Sequence, residues 1–240
     1  MIHKFNKWDA DYCFDSANNK DIPNFDWFMK SLSSGNWERN TFTTFKSVSD
    51  SNKQALDIGG WIGPTAIWLA QYFKSITVVE ADRVALDALK KNLETSNCSN
   101  VTIIDQPIYG KSGVKLWFGA NGFRSGELGE STSQLRLDAK PTDIQMTTIS
   151  LSDILDGMGR EDVGFIKVDI EGGEESIIPA LFEEASKIGC PIWLSFHVSW
   201  WNDTNPERFK EWFRMSSNVD VDKLMTTLAS SPMCDVLFEF

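Results

Sequence analysis

The chain has 240 residues, with 23 Lys and Arg against 34 Asp and Glu, a net charge of −11 and a pI near 4.7. That length suits one domain with a complete hydrophobic core, and the acidic balance, with no Lys/Arg cluster, argues against a nucleic-acid partner. Two histidines, His3 and His197, are too few for a multi-histidine metal centre, so any imidazole chemistry falls on His197.

Residues 1–36 mix polar and aromatic side chains, with breaks at 18–21 and 31–35. They read as a short helical or irregular lead-in with His3 on a loose terminus. Residues 37–240 read as the main domain. An apolar run over 55–58, leading into a glycine cluster, predicts a buried strand, and Pro64 in a first turn predicts a helix over 65–73. The β-branched run 76–79 predicts a second strand. Leu86, Leu89 and Leu93 recur at steps of three and four, which predicts an amphipathic helix over 83–95; 101–104 reads as a third strand. Strands are expected at 113–118 and 146–151, around a glycine-rich loop over 119–129 that carries a solvated Arg124. A short helix over 152–155, a strand over 164–168 and a helix over about 174–188 follow. Pro179 delays the start of that helix or kinks it. A strand over 191–196, a helix over 206–215 and a terminal strand over 235–240 complete the chain. Strands joined by crossover helices of this length predict an α/β, Rossmann-like fold, a mostly parallel central sheet with helices on both faces.

The four cysteines, Cys13, Cys98, Cys190 and Cys234, form no CxxC pair, which argues against a zinc ribbon or redox dithiol. Reduced thiols in a cytosol-like compartment are expected. No apolar run is long enough to span a bilayer and the first residues lack a signal-peptide core. The expectation is therefore a soluble cytoplasmic protein without a membrane partner. The sequence does not set the oligomeric state, although the apolar residues 236–240 offer an edge to a partner.

The sharpest local signal is DIGGWIGP over 57–64, between a strand and a helix. Glycine lets the backbone approach a ligand closely, and the helix start offers free N–H groups. Glu80, at the end of the second strand, suits the two hydroxyls of an adenosine ribose, and Asp105, at the end of the third, suits the adenine rim. The dinucleotide register GxGxxG fails, because Trp61 and Pro64 stand where glycines belong.

Trp37-Glu38 with Thr41-Phe42, DIGGWIGPT over 57–65, VVEAD over 78–82 and FIKVDIEGGE over 165–174 closely resemble the FkbM-type methyltransferases. The likeness covers roughly residues 36–198, and its KVDIEG block is the most specific part. It implies a class I methyltransferase fold, S-adenosyl-L-methionine as donor, and O-methylation, commonly of sugars or secondary metabolites. By position it implies that Asp57, Gly59 and Gly63 line the methionine half of the cofactor. Glu80 would hold the ribose, Asp105 the adenine, and Glu38 would close the site from the amino-terminal side. Gly60 stands where the family has alanine. The segment after the last helix is short for the antiparallel strand pair that ends this fold. A simplified edge, or a domain cut from a longer polypeptide, are the alternatives.

Methyl transfer from a sulfonium is an in-line displacement, so the protein supplies position and a proton acceptor. A sugar hydroxyl is weakly acidic and benefits from a base within reach. Asp169 and His197 end neighbouring parallel strands and open onto one cleft. His197 is the expected base, with Asp169 or Glu171 orienting or charging it. The plainer alternatives are a structural strand-end histidine and acids that cap the helix near Glu174. A divalent ion on Asp169, Glu171 and His197 is the lesser alternative, because Ser199, Trp200 and Trp201 stand where paired acids would follow the fifth strand. Trp200 and Trp201 are expected at the cleft mouth, where aromatic faces suit a pyranose, or else as a cover over the sheet edge. Trp68, Trp117 and Trp193 are expected in the core. The acceptor is then a small molecule or glycan. Two other functions compete: an NAD-linked oxidoreductase on the same topology, opposed by Trp61 and Pro64, and a non-catalytic binding module, opposed by the intact Asp57, Glu80, Asp169 and His197 set.

Overall fold

A computed structural model describes residues 1–120 and 127–240; Arg124 and most of the glycine-rich loop lie outside the described residues. The chain opens with a hairpin, β1 (Ile2–Lys7) and β2 (Ala10–Asp15), then α1 (Phe25–Ser34) and α2 (Arg39–Ser47). The alternating core follows: β3 (Gln54–Ile58), α3 (Pro64–Tyr72), β4 (Ser75–Val79), α4 (Arg83–Thr95) and β5 (Val101–Ile104). Next come β6 (Lys115–Ala120), β7 (Ser133–Arg136), β8 (Ile144–Thr147) and α5 (Leu151–Met158). The chain continues through β9 (Val163–Val168), α6 (Ile178–Ile188), β10 (Ile192–His197), α7 (Lys210–Phe213), α8 (Val221–Ser230) and β11 (Met233–Phe238).

The main sheet has the order β11-β10-β9-β3-β4-β5. Five strands run parallel and β11 pairs antiparallel with β10 at one edge. The central strands carry continuous apolar runs because both faces are covered. One face packs α5, α6 and α8 around Leu56, Ile166, Leu194 and Phe182; the other packs α1 to α4 around Phe45, Trp68, Val78 and Leu89. Each large side chain fully buried there contributes about 1.5–3 kcal/mol. The edge strand β11 alternates in burial, as a half-covered strand should. It is the single antiparallel strand among the described residues of that sheet.

The predicted parallel strands and the helices α3 and α4 match to within about a residue at most ends. Differences concentrate where local signals are weak. Residues 1–36, expected to be helical or irregular, begin with a hairpin whose two-residue turn, Trp8-Asp9, takes positive φ without the usual glycine or asparagine. Its inward residues Ala10, Tyr12 and Phe14 join the core against α3 and α4. His3 is therefore not on a loose end: its Nε2 lies 2.8 Å from Ser16 Oγ. The helix expected over 206–215 divides into a 3-10 turn and the short α7, and the helix expected from 174 begins as a 3-10 turn before α6, with Pro179 in its first turn. Helices α2 and α8 and strand β7 had no prediction. Trp68 and Trp193 are core residues, whereas Trp117 is only half-buried on β6.

Gly59 has φ +85°, and a methyl group added there would collide with the Asp169 carbonyl oxygen. Gly59→Ala is expected to cost more than about 1 kcal/mol from the backbone conformation alone, with the collision added. A melting temperature equal to the parent's would show that the turn relaxes freely.

Candidate active site

The carboxyl ends of β3, β4, β9 and β10 converge, as in other open α/β sheets, on a cleft of about 300 Å³. At one end the glycine turn folds back on β4: Gly59 N–H donates to the Val79 carbonyl (2.9 Å) and Trp61 N–H donates to Glu80 Oε2 (2.7 Å). Glu80 Oε1 accepts from Asp82 N–H at 2.7 Å. Burial, reinforced by the Asp82 charge, pushes the Glu80 carboxyl up to about 8, against the pull of those N–H groups. Asp82 caps α4 with Oδ1, while its Oδ2 accepts from Gly129 N–H (2.7 Å) and Ser133 Oγ (2.6 Å). The small antiparallel sheet β7-β6-β8 is thereby tied over the cleft, which Phe118 and Leu135 help to line.

Beneath the turn lies a buried ion pair. Lys167 on β9 is 2 % exposed; its Nζ sits 3.0 Å from Asp57 Oδ1 and donates to the Gly59 carbonyl at 2.9 Å. Asp57 Oδ2 accepts from Thr65 Oγ1 at 2.6 Å. Burial alone would lower the lysine's pKa, but the Asp57 charge holds it well above the ordinary value.

At the opposite end stand His197, the last residue of β10, and the loop after β9. Nδ1 of His197 donates to Glu174 Oε1 at 2.9 Å, since an ionised carboxylate only accepts. Nε2 lies 3.2 Å from Glu171 Oε2 and 3.8 Å from Asp169 Oδ1. Burial opposes the imidazolium, but the Glu174 hydrogen bond and three carboxylate charges raise its pKa to about 10 when no other cation is bound. Glu174 is fully buried and also accepts from the Ile170 and Gly172 N–H groups and from Trp201 Nε1. Glu38 faces this end from the start of α2. Burial and the Asp169 charge lift its carboxyl to about 8, with Lys167 opposing. Asp235 on β11, raised mainly by burial, also lines the cleft and accepts from Ser195 Oγ.

The model of the Methyltransferase FkbM domain matches residues 57–220, more than half of the chain. The chain belongs to the FkbM methyltransferase family. Family membership sets aside the NAD-linked oxidoreductase reading and agrees with the class I architecture of the sheet. No curated protein matches the chain in sequence. In structure it is similar to the methyltransferase FkbM of Methylobacillus flagellatus KT, at 14% identity and TM-score 0.47, over 94% of this chain and 57% of that one. It therefore spans little more than half the length of that structure. It is also similar to an O-methyltransferase of Bacillus cereus in complex with SAH (18% identity, TM-score 0.38, 70% and 63% covered). A third similar structure is an rRNA methylase of Streptococcus thermophilus (12% identity, TM-score 0.41, 66% and 72% covered).

Within this FkbM domain the expected residues divide. Gly59, Glu80, Glu38, Asp169, Glu171 and His197 all line the cleft. Asp57 and Gly63 do not: Asp57 is fully buried under the turn, and Gly63, at φ +99°, opens α3 against Leu89. Asp105 is exposed outside the cleft, whose wall there is Gln106, Pro107 and Ile108. Trp201, expected at the mouth, is 4 % exposed; its ring packs on Phe196 and Phe209 and its N–H is taken by Glu174. Trp200 stacks on the His197 ring, 5.2 Å between centroids, rather than lining the cleft. The tryptophans that line the cleft are Trp27, Trp37 and Trp61, beside Phe28 and Phe118, and Trp27 is 59 % exposed.

Two residues escaped the sequence reading. A lysine inside the apolar run VGFIKV demands a buried partner, so Lys167 carried a usable signal. Glu174 carried none, because an acid near a helix start reads as a cap. Asp169, Glu171 and His197 also present donor atoms within 4.8 Å of one another, a spacing able to hold a metal ion. All four cysteines are unpaired, and no helix among the described residues is long and apolar enough to cross a membrane.

Proposed function

We propose that this chain is an S-adenosylmethionine-dependent O-methyltransferase acting on a sugar hydroxyl of a small molecule or glycan, in a reducing, cytoplasmic setting. The observation that carries the reading is the pairing, across one cleft, of a buried carboxylate suited to a ribose with a carboxylate-backed histidine. The donor set fits the cofactor. Glu80 would hold the ribose, Gln106, Pro107 and Ile108 would face the adenine, and Gly59 and Glu38 would flank the methionine half. The carboxyls of Glu38, Asp169, Glu171 and Asp235 converge on the cleft, and a bound cation would favour the ionised form of Glu38 and Asp235, whose pKa values burial raises.

When bound, S-adenosylmethionine supplies a methyl group on a cationic sulfur, open to displacement by oxygen. The protein's part is to orient the acceptor and take its proton. Glu174 commits Nδ1 of His197 as a donor, so the ring turns Nε2 toward the cleft; the ring is an imidazolium in the free chain, and the positive charge of a bound sulfonium would favour loss of the Nε2 proton, leaving that nitrogen to accept the proton of the hydroxyl. Trp27 and Trp37 offer flat faces to the C–H face of a sugar, the part expected of Trp200 and Trp201.

The test is methyl transfer from isotopically labelled S-adenosylmethionine to a panel of monosaccharides, nucleotide sugars, glycans, non-sugar alcohols and an RNA oligonucleotide, with the product located by NMR. A methyl ether on a sugar is the expected product. Transfer to RNA or to non-sugar alcohols alone would overturn the acceptor class, and failure of S-adenosylhomocysteine to bind would overturn the cofactor.

Glu80→Gln is expected to weaken S-adenosylhomocysteine binding by about 1.5–3 kcal/mol, the contribution of a hydrogen bond to a charged partner. Folded Glu80 keeps its proton to about pH 8, whereas the unfolded chain releases it near the ordinary 4.5. Between those values the folded state binds more protons, so stability falls as pH rises and Glu80→Gln should flatten that slope. Ribose hydroxyls favour the carboxylate, so binding near pH 7 should release a proton that calorimetry in two buffers detects. Proton release unchanged in the variant would assign it to another group.

A further inference from the structure

The loop after β9 carries Asp169 and Glu171 through two successive left-handed residues, Glu171 at φ +55° and Gly172 at φ +101°. Glycine adopts that region freely, whereas a glutamate held there is strained and returns to negative φ unless something opposes it. The peptide unit between these two residues is held on both sides. Its N–H, on Gly172, donates to Glu174 Oε2 at 2.9 Å, and its carbonyl, on Glu171, accepts from Gln134 Nε2 at 2.8 Å. Glu174 also takes Nδ1–H of His197, so one grip belongs to the wall that carries the base. The other comes from β7, in the small sheet over the cleft.

We propose that Gln134 is a positioning residue for methyl transfer, holding the 171–172 peptide so that the Glu171 carboxylate stays against Nε2 of His197. Glu171 Oε2 lies 3.2 Å from that nitrogen. Ser133 and Leu135 line the cleft and Gln134 between them does not, as alternation along a strand requires. Gln134 therefore acts through the loop rather than on cofactor or acceptor. Its mounting is firm. Gln134 pairs with Gly119 on β6, Ser133 Oγ donates to Asp82 Oδ2 at 2.6 Å, and Arg136 donates to Asp143 Oδ1 at 2.8 Å. Strand β7 thus reaches from Asp82, next to the carboxylate suited to a ribose, to the loop that faces the base. In the base-assisted reading, on which this inference rests, His197 becomes an imidazolium as the hydroxyl proton arrives. Glu171 and Asp169 stabilise that charge from their present places. Once the peptide is released, Glu171 relaxes toward negative φ and its carboxylate swings away from the ring.

The experiment compares Gln134→Met, which keeps the length without a donor, with Gln134→Lys, which restores one. Amide exchange of the ligand-free chain, read by NMR, is expected to be about 3- to 10-fold faster at Gly172 in the methionine variant, the weight of one neutral hydrogen bond. It should return to the parent's rate in the lysine variant, and exchange within β9 should not change. With the acceptor that the panel yields, Gln134→Met should lower kcat about 10- to 100-fold, the scale of a reacting group misplaced by an ångström, while KM and S-adenosylhomocysteine affinity stay within about a factor of two. Lysine should recover most of kcat, and Gln145→Leu, on the exposed face of β8, should match the parent throughout. Exchange at Gly172 equal to the parent's would overturn the proposal. So would an unchanged kcat, a loss that lysine fails to recover, or a KM that rises in step. Circular dichroism checks folding, and Gln134→Glu, of the same size and unable to donate when ionised, repeats the test if the methionine variant does not fold. Exchange needs no acceptor, so failure of the positioning role is distinct from failure of the proposed activity.

Discussion

Replacing His197 with glutamine is expected to lower turnover about 10²- to 10⁴-fold while S-adenosylhomocysteine affinity stays within about a factor of two of the parent. The magnitude is that of a positioned proton acceptor. The split between turnover and affinity follows from position, because His197 stands at the end of the cleft away from Glu80. Glutamine fills a similar volume and can hydrogen-bond Glu174, which limits collapse of the buried wall. Stopped-time assays with saturating cofactor, alongside calorimetry with S-adenosylhomocysteine, give the two readouts. Full activity in the variant would reduce His197 to a structural strand-end residue. A parallel loss of affinity would mean that it shapes the cofactor pocket instead.

Lys167→Met is expected to destabilise the fold by about 3–5 kcal/mol, the cost of stranding a buried charge. Asp57 would lose its cation in a place with no solvent, and the Gly59 carbonyl would lose its Nζ donor. Urea unfolding measures the loss directly. Pairing the change with Asp57→Asn removes both charges, and the double variant should recover much of the stability, since an apolar or neutral pair is not intrinsically worse than a buried ion pair. A double variant as unstable as the sum of the two singles would show that each side chain acts through separate contacts.

These outcomes bear on residues that differ in how visible they were beforehand. The central strands and α4 were legible because a continuous apolar run bounded by glycine and acid, or leucines at steps of three and four, leaves few alternatives. The hairpin was not, because Trp8-Asp9 makes its turn without a turn signature and only packing on α3 and α4 repays the strained φ values. Helix α2 starts after Glu38 in the left-handed conformation with no side-chain cap, so nothing local announces it. Trp201 illustrates the same limit at the site. An indole next to a candidate base reads as a mouth residue, yet the buried Glu174 oxygen and the Phe196 and Phe209 rings give it a better place inside.

The order of residues was enough to bring Glu80, Asp169 and His197 to one sheet edge, since parallel strands joined by right-handed crossovers present their carboxyl ends together. That edge, with the acidic composition, predicted a ligand site; the methyl-transfer reading came from the family resemblance of the segments over 57–65, 78–82 and 165–174. Which carboxylate grips the imidazole did not. That depends on how the loop over 169–174 turns through the left-handed Glu171 and Gly172, and on β10 and Trp201 closing over Glu174 from more than 20 residues away. Hydrogen bonds between such distant groups are decided by packing, and a local pattern carries no record of them.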